Sequence, residues 1–338
     1  MNPAEMLELW QDLGNGNRNA TGMDRRRLNK TAPVDMFACI YWPSRGPGLL
    51  VEGNGEQGLF AGRVPTCRGV RVTHEVLETN SGVRTILRVM LEDQRLLDIF
   101  AVLSADLVNV VALERGGASA LRRCIDRLCM WQGLLERVPL EGLSDESQRG
   151  LFGELMVLEH LQLSALDPLV GVLSWVGPDG AHQDFEIEGL AVEVKTTFTK
   201  RRTRLMIANE KQLDERTHHT LLLAHVRLDE SATEGITLPD LVSRLRIALQ
   251  PDPAASREFD LRLMQCGYLD VHAPLYGAHR FRVFGMRIFR VDGDFPRLTE
   301  ANLPPGVGDI RYTIIADDLS SHEITKETVI ELLRSTHE

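Results

Sequence analysis

No run of about 18 consecutive apolar residues occurs in this 338-residue chain, so an apolar membrane-spanning helix is excluded. The N-terminus, MNPAEMLELWQDLG, lacks the basic start and long apolar stretch of a secretion signal. A cytoplasmic protein that engages no membrane is expected. Cysteine is sparse: Cys39, Cys67, Cys124, Cys129 and Cys266 are odd in number and scattered. They do not form the close sets that zinc requires, and buried free thiols are expected. An excess of positive charge is also missing. Lys and Arg number 38 against 48 Asp and Glu, a net charge of −10, which argues against binding nucleic acid through global charge.

What is present is an ordinary globular composition, 43% hydrophobic and 25% charged, able to build a sizeable core. The length suggests two or three domains. Positive charge is concentrated in two runs. One is KTTFTKRRTR at 195–204, with Lys195, Lys200, Arg201, Arg202 and Arg204; the other comprises Arg18, Arg25, Arg26, Arg27 and Lys30. Taken alone, each reads as a solvated loop face.

Residues 2–13 read as a helix, with Asn2 as cap, Pro3 in the first turn and Gly14 as stop. A polar, basic loop or mobile arm is expected over 15–34. MFACIYW, RGVRVTHEVL, GVRTILRVML and RLLDIFAVL are strand-length runs between turn residues. A helical stretch opens at Ser104, and a longer helix over 117–137 carries the stripe Leu121, Cys124, Leu128, Trp131. Residues 1–140 thus form an N-terminal α/β domain. Gly53, Gly55 and Gly58 spell G-x-G-x-x-G, but LFAGRVPTC after them reads as strand and turn. A dinucleotide loop would open a helix there, so a hairpin loop is expected.

Further on, the order is definite. A helix over 147–163 is followed by strands at 169–176, 182–188 and 190–198, a helix at 206–215 and a buried strand at 219–228. Thr237 caps a helix to about Leu249, Pro-Asp-Pro at 251–253 interrupts the chain, and a helix follows over 256–265. A strand over 279–291 and a helix over 324–335 complete a C-terminal, strand-rich appendage, 251–338.

Side chains alternate along a strand. In LAVEVKTTF, Leu190, Val192 and Val194 point one way, while Ala191, Glu193, Lys195 and Thr197 point the other. A tight turn at Glu188-Gly189 would bring Asp184 alongside Glu193. Two close carboxylates repel unless a cation lies between them, and an oxygen-only pair suits Mg²⁺. Such an ion polarises a phosphoryl oxygen and acidifies bound water; a neighbouring lysine stabilises charge on phosphorus. Glu154 lies on the apolar stripe Leu151, Leu158, Leu161, where a carboxylate needs compensation. A carboxylate at the core rim that reaches solvent is the alternative. His218, His219 and His225 read as strand-end or core histidines. His182, close to Asp184, is a candidate for a supporting or phosphate contact.

D-F-E-I-E-G-L-A-V-E-V-K across one hairpin, with this order of elements, resembles the PD-(D/E)XK superfamily of restriction-endonuclease-like nucleases. GLFGELMVLEHL, W-x-GP, DF, EVKTT, Gln212-Leu213 and FPRL at 295–298 resemble a bacterial branch of it, encoded beside DNA methyltransferases and ATPases in restriction or phage-defence clusters. The resemblance implies an αβββαβ core at 145–250, a mixed sheet flanked by helices. It makes Asp184, Glu193, Lys195, Glu154 and Gln212 the catalytic set, and Asp184, Glu193, Glu154 and Val194 the metal set, for Mg²⁺ or Mn²⁺. Lys200, Arg201, Arg202 and Arg204 would meet DNA phosphates, which fix register without reading sequence. Gln183 stands where the name-giving motif has proline. The expected function is Mg²⁺-dependent DNA cleavage in bacterial defence, as a homodimer where both strands are cut. The alternative is a non-catalytic DNA-binding or assembly subunit that keeps the fold.

Overall fold

The computed structural model describes all residues except 16–20, 29–31, 55–64, 80–81, 138–141, 199–202, 215–217, 232–233 and 338. The chain divides into two compact units, Met1–Leu140 and Glu141–Glu338. No helix among the described residues is long and apolar enough to cross a membrane.

The first unit opens with α1 (Pro3–Gly14). Asn2 Oδ1 accepts from the Glu5 N–H at 2.9 Å, and the Glu5 carboxylate accepts from the Asn2 N–H at 3.0 Å, a reciprocal cap that fixes the helix start. Strands β1 (Gly22–Arg27), β2 (Asp35–Trp42), β3 (Gly46–Asn54), β4 (Val70–Thr79) and β5 (Gly82–Leu91) form an antiparallel sheet in the order β1-β2-β3-β5-β4. The loop expected over 15–34 therefore includes an edge strand, paired from Gly22↔Trp42 to Arg27↔Phe37. Helices α2 (Leu97–Ala112) and α3 (Gly117–Arg137) follow.

RLLDIFAVL, expected as a strand, enters α2 instead. The Asp93 side chain caps a short 3₁₀ turn at Gln94–Leu96. The buried residues Leu96, Ile99, Phe100, Leu103 and Leu107 recur at helical spacing, which an apolar run of strand length conceals. The α3 stripe Leu121, Cys124, Leu128 and Trp131 is buried as expected. Cys129 is exposed and Cys266 partly so, unlike the other thiols. Gly53 lies in β3; Gly55 and Gly58 are outside the described residues.

The second unit is mixed α/β. It begins with α4 (Asp145–Val157), which continues through a π-helical turn, Leu158–Gln162, into α5 (Leu163–Ala165). Then come α6 (Pro168–Leu173), β6 (Phe185–Ile187), β7 (Leu190–Phe198), β8 (Arg204–Ile207), β9 (Thr220–Ser231), α7 (Leu238–Leu249) and α8 (Pro253–Gln265). Last are β10 (Arg280–Arg290), β11 (Tyr312–Ile315), β12 (Glu323–Ile324) and α9 (Lys326–His337).

Two expected elements are corrected. The run at 169–176 is largely the helix α6, because Asp167 accepts from the Leu169 N–H at 3.1 Å and Pro168 occupies the first turn. The helix expected over 206–215 is replaced by β8 and a turn. β8 pairs with β11, from Arg204↔Ile315 to Ile207↔Tyr312, a partner too distant in sequence for a local pattern to reveal. The expected strand at 182–188 shortens to β6.

The main sheet runs β12-β10-β9-β7-β6. β7 and β9 are parallel and the other neighbours antiparallel, so the sheet is mixed. Within it β10 pairs along β9 from Arg280↔Ser231 to Arg290↔Leu222, so residues 251–338 supply two strands of the same sheet as β7. Alternation along β7 feeds two cores. Leu190, Val192 and Val194 join Phe152, Leu155, Leu241 and Phe259 on one face; Ala191 joins Leu205, Ile207, Leu223, Phe289 and Ile314 on the other.

Candidate active site

The β6–β7 turn passes through Glu188 and Gly189, both at positive φ (43° and 90°). It sets the register Phe185↔Val192, and Asp184 meets β7 just beyond. The Asp184 N–H donates to the Val192 carbonyl at 3.2 Å, and Asp184 Oδ2 accepts from the Val194 N–H at 2.7 Å. Glu193 Oε1 lies 2.6 Å from Lys195 Nζ. Lys195 Nζ also donates to Gln212 Oε1 at 3.1 Å, and that oxygen accepts from the Ala208 N–H at 2.8 Å.

Helix α4 brings the third acid. Gly153 sits where α4 meets β7, and a Cβ on it would lie 1.8 Å from Thr196 Oγ1; glycine is what allows that approach. The next residue, Glu154, accepts from Trp175 Nε1 at 2.8 Å. Gly177 stands between the acids. A Cβ there would come within 3.2 Å of Asp184 Oδ1 and 3.4 Å of Glu154 Oε2. Three carboxyl groups, one ammonium and one amide thus converge from α4, the approach to β6, β7 and the turn after β8.

The electrostatics reflect this crowding. Burial pushes the Glu193 carboxyl up to about 8; repulsion from Asp184 adds to the rise and Lys195 opposes it. Burial raises Asp184 to about 6, against the Val194 N–H and Lys195. Glu154 is held well above the usual carboxylate range, first by burial and then by Asp184, with the Trp175 hydrogen bond opposing. Only 1% of Glu193 is exposed, and its Oε2 has no hydrogen-bond partner among the described residues. A buried acceptor without a donor is costly, and perturbed acids that crowd one another are a mark of functional sites.

These donors suit a hard divalent cation: they are oxygens, one is an orphaned buried atom, and two carboxylates flank the space beside Gly177. Val194 has an apolar side chain, so a ligand role there falls to its carbonyl oxygen. As the side chains stand, no group of three or more His, Cys, Asp or Glu among the described residues is arranged to hold a metal ion; Glu193 Oε1 is turned to Lys195 and Asp184 Oδ2 to the β7 backbone.

Lys200, Arg201 and Arg202 lie outside the described residues, and Arg204 is exposed on β8. Of the N-terminal run, Arg18 and Lys30 are outside the described residues, while Arg25, Arg26 and Arg27 form β1. His182 is exposed. His218 Nε2 lies 3.3 Å from Gln183 Oε1, and His225 is buried. Gln183, the departure from the motif, donates to the carbonyls of Lys211 and Gln212 at 3.0 and 3.2 Å, anchoring the turn that presents Gln212.

Sequence reasoning missed several residues. Trp175 was visible within W-x-GP but without a role. Arg262 of α8 ties the Trp175 carbonyl to Asp179 and Glu258. The Cys266 thiol is raised by burial and then by Glu154 and Asp184, which places it beside the acids. No local signal links these distant residues to the hairpin.

An acid-rich hairpin ending in E-x-K, an acid on the preceding helix and a mixed sheet define the nuclease-like PD-(D/E)XK class. The model of the family described as "Putative PD-(D/E)XK family member, (DUF4420)" matches residues 6–317, and the chain belongs to that family. No curated protein and no solved structure matches it.

Proposed function

We propose that the second unit hydrolyses DNA phosphodiester bonds with Mg²⁺, for which Mn²⁺ can substitute. The observation that carries the reading is the meeting of Asp184, Glu193 and Glu154 with Lys195 in a pocket that raises all three acids. Asp184, Glu193, Glu154 and the Val194 carbonyl would hold the cation, which when bound supplies charge neutralisation and an acidified water. Lys195 donates toward the non-bridging oxygen of the scissile phosphate. Gln212 holds the ammonium in place, and Trp175 fixes Glu154. Burial excludes bulk water, so each interaction acts in a low dielectric.

The resemblance extends the reading to restriction or phage defence, beside ATPase or methyltransferase partners, and to a homodimer for cutting both strands. Nicking of supercoiled DNA in Mg²⁺ or Mn²⁺ tests it. Lys195→Ala should lower the rate by about 10²–10³-fold while melting as a folded protein; undiminished cutting by that variant assigns the activity elsewhere.

The present turning of Glu193 to Lys195 favours a second reading, a non-catalytic DNA-binding or assembly subunit. Metal titration by calorimetry separates the two. Heat that vanishes in Asp184→Ala supports the enzyme, and no heat in the wild type supports the subunit.

A further inference from the structure

The face of β7 that carries Glu193 and Lys195 continues to Thr197. The parallel register Lys195↔His225 and Thr197↔Arg227 places His225 and Arg227 of β9 on the same face. One step toward the C-terminal ends of these strands, about 6.6 Å for two residues, therefore leads from the ammonium of Lys195 to the level of Arg227.

Arg227 is unlike most of its neighbours. On the same sheet Arg282 pairs with Asp229 and Glu234, Arg287 with Glu323 and Arg290 with Asp292. Arg227 makes no hydrogen bond or ion pair among the described residues, and its Nε is buried without a partner. Its guanidinium lies over the Phe284 ring, 4.6 Å from the centroid. The β-bulge between Val283 and Gly285 puts glycine directly opposite Arg227, so the β10 side chain against the guanidinium is that of the bulge residue, Phe284. Beside it, Thr197 Oγ1 and His225 Nε2 share a hydrogen bond of 2.7 Å, and burial lowers His225 to about 4, with Arg227 and Arg287 adding to the shift. The imidazole is thus neutral at neutral pH, and the cation of this level is Arg227.

We infer that Lys195, Thr197 and Arg227 form a backbone-phosphate track along the sheet, in which Arg227 and the Thr197 hydroxyl hold the nucleic-acid phosphate next to the scissile one. The track rests on the reading of the acid cluster as a phosphodiester site. It selects no base, because phosphate contacts fix register only. The Phe284 ring against the guanidinium limits its freedom, and the planar fork suits two phosphate oxygens.

The test is binding of a short fluorescein-labelled DNA duplex by the full chain, followed by anisotropy across a salt series in Ca²⁺ buffer. Arg227→Ala should weaken binding about tenfold and reduce the slope of log affinity against log salt by about 0.9, one phosphate contact. Arg290→Ala, the loss of an exposed cation already paired with Asp292, should leave both unchanged. If Arg227→Ala melts early, Arg227→Gln keeps a polar, planar group over Phe284 without the charge and should give the same lost slope. An Arg227 variant that matches Arg290→Ala, or a wild type that does not bind the duplex, overturns the track. A wild type that binds through Arg227 yet never cuts in Mg²⁺ or Mn²⁺ supports the track and counts against the catalytic reading.

Discussion

Strand β1 and the β7–β9 face treat charge in opposite ways. On β1 three consecutive arginines each have an acid: Arg25 with Glu52 at 2.7 Å, Arg26 with Asp12 at 3.3 Å, and Arg27 with Asp35. Glu52 also meets Arg84 at 2.6 Å. The arginines are half exposed, so the pairs are weak and no net field remains. At the acid cluster Asp184, Glu193 and Glu154 share one lysine, and on the β7–β9 face Arg227 has no acid partner among the described residues. A fold seeking only stability pairs its charges as β1 does. Like charges crowded in a dry place, with a cation left over, mark a surface incomplete without its ligand.

Several substitutions would break or sharpen that contrast. Glu193→Gln should have the largest effect: cleavage in Mg²⁺ should fall by about 10²–10³-fold, with metal-binding heat lost in calorimetry. Gly177→Ala comes next. Its Cβ would sit 3.2 Å from Asp184 Oδ1 and 3.4 Å from Glu154 Oε2, so metal affinity should drop about 10–100-fold with little change in melting temperature.

The pH dependence follows with its sign. Asp184 and Glu193 are raised to about 6 and about 8, so in this range the folded state binds more protons than the unfolded one. In EDTA, melting temperature should therefore decline by several degrees as pH rises from the ordinary carboxylate range through about 8. Mg²⁺ should oppose the decline, and Glu193→Gln should flatten it. A metal-free protein that gains stability over this range would contradict the burial of these acids. The smallest effect belongs to β1. Replacing Arg25, Arg26 and Arg27 together by alanine should cost about 0–1 kcal/mol per pair and leave the salt slope of DNA binding unchanged in the anisotropy assay.

The readable part of the site lay within one hairpin. Alternation in LAVEVKTTF and the Glu188-Gly189 turn were enough to place Asp184, Glu193 and Lys195 together, because strand period and turn chemistry are local. The length and bounds of α3, β5 and β7 were legible for the same reason. β8 was not, since its partner β11 lies more than a hundred residues on; nor was α6, where the Asp167 cap and Pro168 outweighed an apolar, strand-like run. Trp175, Arg262 and Gly177 act through contacts between elements, and Arg227 stands out only once the register of β9 against β7 is known. Gln183 shows the converse: a mismatch with the motif in sequence, it serves in the fold by fastening the Gln212 turn.

The pairing of β10 with β9 bears on when the site comes into being during synthesis. A ribosome that has reached residue 250 has already made every acid of the cluster, yet it has not made Phe289, Val291, Phe295, Ile314, Ala316 or Leu319, half of the apolar cover on the Glu193 side. Until those residues emerge, that half of the cover cannot shield Glu193 from water. The hydrolytic device that we propose is therefore assembled only once residues through Leu319 have emerged.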